Sequence, residues 1–157
     1  MSAIPYAGRT YVVNNLAVTI STAITIIQIK AGATWPLWLV RATLTQKGST
    51  TSAQERVQIV RKSAAATVTS ATALLLDGDD IAAKAVGGTT STGITATGEG
   101  TDTDVIVDRG FNVLNGFEWV ATSFDSILVP AAGFIALKFP TAPASQVWSA
   151  QMYFVEL

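Results

Sequence analysis

The sequence predicts an all-β fold, a single jelly roll or β-sandwich of about eight to ten antiparallel strands, with residues 1–157 forming one domain. Apolar and polar residues alternate with a period of two in many short runs that are rich in Thr, Val, Ile and aromatic residues. Gly, Pro and Asn-Gly turn signals separate these runs, and no long run shows helical periodicity. A chain of 157 residues also buries a sizeable core without metals or disulfides.

The first part of the chain contains four predicted strands. The three earliest are expected at residues 9–13, 16–20 and 23–30. Residues 37–47, LWLVRATLTQK, alternate most clearly and form the fourth. The predicted core face of this strand consists of Trp38, Val40, Ala42 and Leu44. Residues 1–15 supply few core residues overall, so we expect them to act as an N-terminal arm.

The strand predicted at residues 54–62, QERVQIVRK, carries the densest charge in the sequence. Val57 and Ile59 are expected to face the core. The outward set is expected to be Arg56, Gln58 and Lys62. Surface salt bridges are the ordinary interpretation of such charges. Opposite charges also set the register of neighbouring subunits, which makes Glu55 and Arg61 candidate subunit-interface residues.

Residues 63–101 differ in kind from the rest, because 27 of these 39 positions are Ala, Thr, Gly or Ser. Such a segment has few large side chains to bury. We therefore expect a long Ala/Thr/Gly-rich excursion inserted between strands, either exposed or bound by a partner. Short irregular strands or a helical turn are expected within it, the turn near residues 74–85.

Strand character returns in the last third of the chain. Strands are predicted at residues 103–107, 117–121, 126–130 and 133–139, followed by the run 144–157. One face of this last run is expected to join the core: Trp148, Ala150, Met152 and Phe154. The opposite face carries Tyr153, Val155 and Leu157. These three side chains are surplus for a monomer, so we expect them at a subunit interface.

Composition excludes several classes of function. Cys and His are both absent, which removes thiol chemistry, Ser-His-Asp catalysis and the common zinc sites. A net charge of −1 leaves no basic excess for nucleic acid. No apolar run approaches the roughly 20 residues that span a bilayer, and MSAIPYAGRT lacks the pattern of a signal peptide. We therefore expect no enzyme activity, no cofactor, no metal, and no nucleic-acid or membrane partner.

The acidic and glycine-rich segments invite a chemical interpretation. Two groups of carboxylates are candidate calcium ligands: Asp77, Asp79 and Asp80, and Asp102, Asp104 and Asp108. Neither group matches the twelve-residue calcium loop, so solvated loop acids are the preferred interpretation. A glycosidase needs only two carboxylates across a cleft, and nothing in the sequence marks such a pair. Residues 87–100 are rich in glycine but lack the phosphate-loop pattern, which favours a flexible loop.

The four tryptophans suggest a second kind of site. Trp38 and Trp148 fall on apolar strand faces and are expected in the core. Trp35, which precedes Pro36, and Trp119 are expected to be exposed. Exposed tryptophans are suited to stacking on sugar rings, so a carbohydrate-binding module is an open alternative.

Three segments form a recognisable pattern along the chain. They are E-x-x-x-I-x-R at Glu55, Ile59 and Arg61; FNV-x-x-G-x-x-W at Phe111, Asn112, Val113, Gly116 and Trp119; and Y-F-x-E at Tyr153, Phe154 and Glu156. Over residues 16–157 this pattern resembles small virion proteins encoded among the head genes of tailed bacteriophages and prophages. The chain departs from them at TSFDSILVP, residues 122–130, where similar proteins tend to carry a Pro- and Glu-rich turn.

The resemblance implies a capsid decoration, or cement, protein: a single jelly roll, commonly a trimer, that binds the outer surface of the head and stabilises the shell. Its partners would be the major capsid protein and further copies of itself, and it would be made in the host cytoplasm. The arm would contact the capsid, with these candidate residues: Ile4, Pro5, Tyr6 and Arg9.

The low charge agrees with this interpretation. Only 13% of the residues are charged, against about 25% in ordinary soluble domains. Either the surface is neutral and rich in hydroxyl groups, or much of it is buried against other chains. The open alternatives are a head-fibre base, a neck or tail accessory virion protein, and the carbohydrate-binding β-sandwich module.

Overall fold

The structure, a computed structural model, describes residues 8–78, 81–122 and 124–156 and confirms the all-β prediction. No helix occurs in these ranges, so the described part of residues 74–85 contains no helical turn. Four of the candidate contact residues lie outside the described residues: Ile4, Pro5, Tyr6 and Leu157.

The strands of the described ranges number twelve. They are β1 (Arg9–Ile20), β2 (Thr25–Lys30), β3 (Leu37–Lys47), β4 (Gln54–Ala64), β5 (Thr67–Ser70), β6 (Leu74–Leu75), β7 (Gly93–Gly98), β8 (Thr101–Asn112), β9 (Phe117–Val120), β10 (Ile127–Val129), β11 (Phe134–Lys138) and β12 (Gln146–Glu156). The count exceeds the prediction because the Ala/Thr/Gly-rich segment itself contributes the short strands β5, β6 and β7.

The strands form two antiparallel sheets that pack as a sandwich. Sheet A has the order β10-β3-β12-β1-β6, and β9 pairs with β3 beside β10. Sheet B has the order β5-β7-β2-β11-β4-β8. β12 lies between β1 and β3 along its length, with Glu156 opposite Arg9 and Val147 opposite Lys47. This strand is therefore central to sheet A, which explains its apolar character.

The core between the sheets is built around aromatic side chains. Trp148 packs edge-on against Phe139, with ring centroids 5.0 Å apart, and against Phe111 at 6.1 Å. Phe154 stacks on Tyr11 of β1 at 5.5 Å. The predicted core face of β12 is confirmed, since all four of its members are buried: Trp148, Ala150, Met152 and Phe154. Each large apolar side chain buried in this way contributes about 1.5–3 kcal/mol to stability.

The predicted core face of β3 is correct only in its second half. The register between β3 and β12 slips at Val40, which has no partner on β12. An extra residue of this kind reverses the alternation of side chains. Ala42 and Leu44 face the core as predicted, whereas Trp38 and Val40 lie half-buried on the other side. Ahead of the bulge the core positions are those of Leu37 and Leu39.

The two ends of the segment 63–101, residues 63–70 and 93–101, belong to a long two-stranded ribbon and not to a free excursion. β4 continues into β5, and β7 into β8, so that residues 54–70 pair with residues 93–112. The ribbon folds back over the outer face of sheet B and forms a second small core there, which consists of Ala66, Val68 and Ala96. Gly100 permits this corner, because its φ is +67° and a Cβ would lie 2.3 Å from the Ala64 carbonyl oxygen.

Buried polar groups fix the corner of the ribbon to the sheet beneath it. Gln28 of β2 accepts a hydrogen bond from the Ala66 N–H at Oε1, over 2.8 Å. Lys62, whose side chain is fully buried, donates from Nζ to Asp102 over 2.6 Å and to the Glu99 carbonyl over 2.7 Å. Lys62 points away from the inter-sheet core, as alternation predicts, but the prediction that it is exposed is wrong because the ribbon covers it.

The predicted N-terminal arm overlaps a core strand. Residues 9–15 are part of β1, between β12 and β6 in sheet A, and Tyr11 and Val13 are buried. Val12 between them is buried as well, and β1 continues past a bulge near Ala17 to Ile20. Residues 9–15 therefore belong to the sandwich and not to an arm, and residues 1–7 lie outside the described part.

Candidate assembly surfaces

Most of the described acidic side chains form ion pairs or hydrogen bonds within the chain, and Asp104 is exposed on β8. Asp108 accepts from Arg56 on the surface of the ribbon, with Nε and Oδ1 2.8 Å apart. This bond holds the pKa of the Asp108 carboxyl below its usual value. In the described part of the chain no group of three acidic side chains has the arrangement of a metal site. The remaining calcium candidates, Asp79 and Asp80, lie outside the described residues.

A partly buried network of four charges, of which Lys62 is fully buried, lies where the ribbon turns. Asp102 is 2.6 Å from Lys62 Nζ and 2.7 Å from Lys138 Nζ, and Glu99 lies 3.4 Å from Lys138 Nζ. Burial alone raises the pKa of Asp102, but hydrogen bonds from both lysines outweigh it and leave that pKa below its usual value. Burial lowers the pKa of Lys138, and its bond to Asp102 raises it overall. With its charges paired, the network is a structural clamp.

The tryptophans divide between core and surface differently from the prediction. Trp148 lies in the core and Trp35 is 47% exposed, both as expected. Trp119 is buried on the inward face of β9, opposite Ala42 of β3, so the prediction that it is exposed is wrong. Trp38 is half-buried on the outer face of sheet A because of the bulge at Val40. A sugar-stacking platform formed by Trp35 and Trp119 together is therefore excluded.

Two of the predicted subunit-interface residues have partners within the chain. Glu55 accepts a hydrogen bond from the Ala144 N–H over 3.0 Å. Arg61 donates to the Leu128 carbonyl over 2.9 Å. Glu55 and Arg61 belong to sheet B, whereas Leu128 belongs to sheet A, so Arg61 links the two sheets. Both side chains contribute to the sandwich itself.

The two described interface candidates of β12, Tyr153 and Val155, lie in different environments. Val155 is only 3% exposed, and it is so close to Gly8 that a Cβ there would lie 2.7 Å from Val155 Cγ1. It has almost no surface to offer to a subunit, so it does not fit the predicted interface. Tyr153 is half-buried, with the Arg41 guanidinium 5.2 Å from its ring centroid and its hydroxyl donating to Gln151 over 3.1 Å.

The other motif residues also act within the fold. Asn112 caps the turn between β8 and β9: its Oδ1 accepts from the Leu114 N–H over 2.9 Å, and its carbonyl accepts from the Gly116 N–H over 3.1 Å. Gly116 has a φ of +75°, which favours glycine. Glu156 accepts from the N–H groups of residues 84 and 85. These positions specify the fold, so the resemblance rests on structural residues.

One edge of sheet A presents an exposed aromatic side chain on the loop between β9 and β10. The Asp125 carboxylate accepts from the Thr122 N–H and from the Thr122 hydroxyl, the latter over 2.7 Å. These bonds lower the pKa of Asp125, which is therefore an anion. Phe124 in this loop is 100% exposed, and Val120 and Leu128 on the flanking strands are exposed beside it. We call Phe124 with this loop the Phe124 knob.

The β6 edge of sheet A exposes Leu74 and Leu76. An apolar pocket of about 270 Å³ lies at one end of sheet A, where β1 begins, β12 ends and the chain enters β3. Its buried wall includes Glu156 and Tyr11, whose hydroxyl donates to the Ile81 carbonyl over 3.3 Å. Burial raises the pKa of Tyr11, and the charge of Glu156 adds to the effect. The remaining lining residues are Gly8, Arg9, Trp35, Ile81, Ala82 and Lys84. We call this cavity the Trp35 pocket.

The outer face of sheet A also carries a polar groove of about 550 Å³. Arg41 in this groove donates to Glu118, with Nε and Oε2 3.1 Å apart, so the two charges neutralise each other. Most of the other lining residues carry hydroxyl or amide groups, among them Thr43, Ser149 and Gln151. Such a surface is readily solvated, so the apolar edges of sheet A are the stronger candidates for binding another protein.

Comparison of the chain with protein-family models, with curated proteins and with solved structures finds no significant match. The described residues contain no helix that is long and apolar enough to cross a bilayer. The surfaces of the sandwich, above all its two apolar edges, are therefore the features that bear on function.

Proposed function

We propose that this chain is a non-enzymatic structural protein of a tailed-bacteriophage virion, a capsid decoration protein that binds the outside of the head as a homotrimer and stabilises the shell. The observation that supports this proposal most directly is the exposed apolar surface at both edges of sheet A. Adjacent exposed apolar side chains mark sites of protein association more often than they serve a monomer. The resemblance of three segments to small head-associated virion proteins supports the same proposal.

The proposed activity needs binding alone and no reactive group. A protein that binds the assembled shell, and not its separate subunits, lowers the free energy of the shell by about 2.7 kcal/mol per site when its concentration is 100 times its Kd. Three joined copies engage three sites at once, so they dissociate far more slowly than one copy does. The partners would be the major capsid protein and the chain itself, and the sandwich would be of the jelly-roll type.

Binding to capsids tests the proposal. Purified protein is analysed by light scattering and then sedimented with expanded heads and with immature heads. We expect a trimer that binds expanded heads at many positions and ignores immature ones. A stable monomer that fails to sediment with either form contradicts the proposal. Binding restricted to a single vertex favours the neck, tail or head-fibre alternative.

The carbohydrate-binding alternative keeps one favourable observation, the exposed Trp35 beside a pocket. A glycan array with the wild-type protein and Trp35→Ala decides it. Loss of a bound glycan in Trp35→Ala, with binding retained in the surface control Leu114→Ala, supports this alternative. An array without bound glycan removes it.

A further inference from the structure

We propose that the free edge of β8 pairs antiparallel with the free edge of β8 in a second copy, with Asp104 of each chain opposite Arg109 of the other. The pairing extends sheet B across two chains. It goes beyond the proposed function, because it joins two copies across a two-fold axis whatever surfaces form a trimer or bind a shell.

β8 is a long strand with one unoccupied edge. It is the last strand of sheet B, and within the described part of the chain it pairs with β4 alone. Nine of its twelve residues are exposed. The backbone N–H and C=O groups that point away from β4 therefore face no strand of the same chain, and such an edge is a template for a strand of another. Neither proline nor lysine, which commonly block an edge, occurs in Thr101–Asn112.

A bulge places the two unpaired charges of β8 on the same face of the sheet. Ile106 has no partner on β4, so the alternation of side chains reverses there. Asp104 lies opposite Arg61, and Arg109 lies opposite Val57, four residues away on β4 and hence on the same face. The other two carboxylates of β8 form ion pairs, whereas Asp104 and Arg109 form none with any described residue.

The positions of these charges identify a second copy as the partner. In an antiparallel pair whose two-fold axis passes between Ile106 and Val107, Asp104 of each chain lies directly opposite Arg109 of the other. One contact therefore contains two ion pairs, and opposite charges placed directly across a strand pair are stabilising. A shift of the register by two residues in either direction separates them. Any other strand would have to supply both charges at the same spacing.

The size of the contact sets its strength. Residues 104–109 of each chain form a ladder of roughly four to six backbone hydrogen bonds, which the bulge disturbs locally. Val105 and Ile106, which are 53% and 36% exposed, lie beside the axis and add apolar contact. This area is smaller than the roughly 800 Å² per partner of a standard interface, so one pair of edges forms only at high local concentration. Copies held side by side on a surface meet that condition.

Reversal of each charge, followed by mixing, tests the pairing. Asp104→Arg and Arg109→Asp each place like charges opposite each other twice in the contact. Light scattering over a concentration series is expected to show the wild-type mass doubling, with the midpoint raised roughly 5- to 30-fold in each variant. An equimolar mixture of the two variants contains both opposite-charge pairs again and is expected to return close to the wild-type midpoint. The double variant is expected to return to it as well.

The control is Lys47→Asp, an exposed position on β3 that changes the net charge by the same amount as Arg109→Asp. It is expected to keep the wild-type midpoint. Asp104 and Arg109 are also exposed, so the fold is retained, and thermal unfolding of each variant checks this. An unchanged midpoint in Arg109→Asp overturns the proposal, and so does a mixture that behaves like its separate components.

Disulfide formation tests the register, because the natural chain contains no cysteine. Directly opposite Cα atoms of an antiparallel pair lie about 4.5–5.5 Å apart, which is within the range of a disulfide. A mixture of Asp104→Cys and Arg109→Cys is therefore expected to give a covalent dimer on a non-reducing gel, and it keeps one of the two ion pairs. Each variant alone is expected to give little dimer. Equal yields from the mixture and from the separate variants overturn the register.

The same samples separate the pairing from the proposed function. A wild-type protein that never doubles in mass overturns the pairing even if it binds expanded heads as a trimer. That is the result expected if a strand of the capsid protein occupies the edge of β8. A protein that pairs in solution but does not bind expanded heads leaves the pairing standing and removes the decoration proposal.

Discussion

The partly buried network at the corner of the ribbon leads to a prediction about stability that the sequence alone does not suggest. Asp102→Asn removes the carboxylate that lies between Lys62 and Lys138. The Lys62 ammonium, whose side chain is fully buried, then has neutral acceptors close by, including the Glu99 carbonyl at 2.7 Å, but its nearest counter-charge is the Glu99 carboxylate at 3.9 Å. A buried charge without a close counter-ion is costly, because desolvation is no longer offset by Coulomb attraction.

The expected size follows from this geometry. Removing one partner of a buried pair costs about 3–5 kcal/mol. Asp102 is about one third exposed and Lys62 keeps its carbonyl acceptor, so the lower end, about 3 kcal/mol, is appropriate. In a domain of this length 1 kcal/mol shifts Tm by about 2–4 °C, so Asp102→Asn should lower Tm by roughly 6–12 °C. Lys62→Met should cost less, about 1–2 kcal/mol, because Asp102 keeps Lys138 as its partner.

Urea denaturation at one fixed protein concentration measures this effect, since assembly makes stability depend on concentration. The matched control is Asp108→Asn. Asp108 lies on the same strand as Asp102 and also pairs with a cation of β4, Arg56, but its pair is exposed. It is expected to show a shift several times smaller than that of Asp102→Asn. Equal shifts in the two variants would refute the reasoning that burial of the network sets its contribution.

Three further predictions concern other features of the fold. The pKa of Asp102 is lowered and that of Lys138 is raised, so both groups stabilise the folded chain at pH values between the ordinary pKa values of Asp and Lys. This stabilisation is lost as pH falls through the folded-state pKa of Asp102, or as pH rises through the folded-state pKa of Lys138. Unfolding measured across pH should therefore show an acid limb that is weaker in Asp102→Asn. Val155→Lys should lower the free energy of unfolding by about 3 kcal/mol, because it buries a charge. A Val155→Lys protein that is a stable, native monomer would instead support the prediction that Val155 lies at a subunit interface. Gly100→Ala should cost at least about 2 kcal/mol in thermal unfolding, whereas Gly48→Ala, at a positive φ with open space around it, should cost about 1 kcal/mol.

Alternation of apolar and polar residues predicted those parts of the fold in which the sequence of a single strand decides which of its side chains are buried. The core face of β12 is the clearest example, because its buried side chains recur at every second position from Trp148 to Phe154. The same rule failed at Val40, where a bulge interrupts the pairing of β3 with β12, a strand that is distant in sequence. No Gly or Pro marks that position.

Burial of the outer face of sheet B also depends on distant residues. Composition suggested that residues 63–101 are exposed because they are small. In the structure the small side chains lead to burial and not to exposure, because Ala66 and Ala96 allow the ribbon to pack closely on the sheet and to cover Lys62. For the Phe124 knob the sequence did hold a signal, since Thr122 and Asp125 in TSFDS are spaced for the hydrogen bonds that brace the loop. Phe124 was not predicted to be exposed, because the sequence around an isolated aromatic residue in a turn does not show whether its side chain is buried or exposed.

The pairing of β1 with β12 has a consequence for synthesis on the ribosome. Residues 21–145 lie between these two neighbours in sheet A, and translation at about 5–20 residues per second needs roughly 6–25 s to make them. During that interval the apolar face of β1 emerges without its partner and is available to chaperones or to strands of other nascent chains. On a polysome, where copies are made side by side, the β12 of a neighbouring chain can pair with it first. Sheet A is therefore the place where co-translational strand exchange between copies is expected to begin.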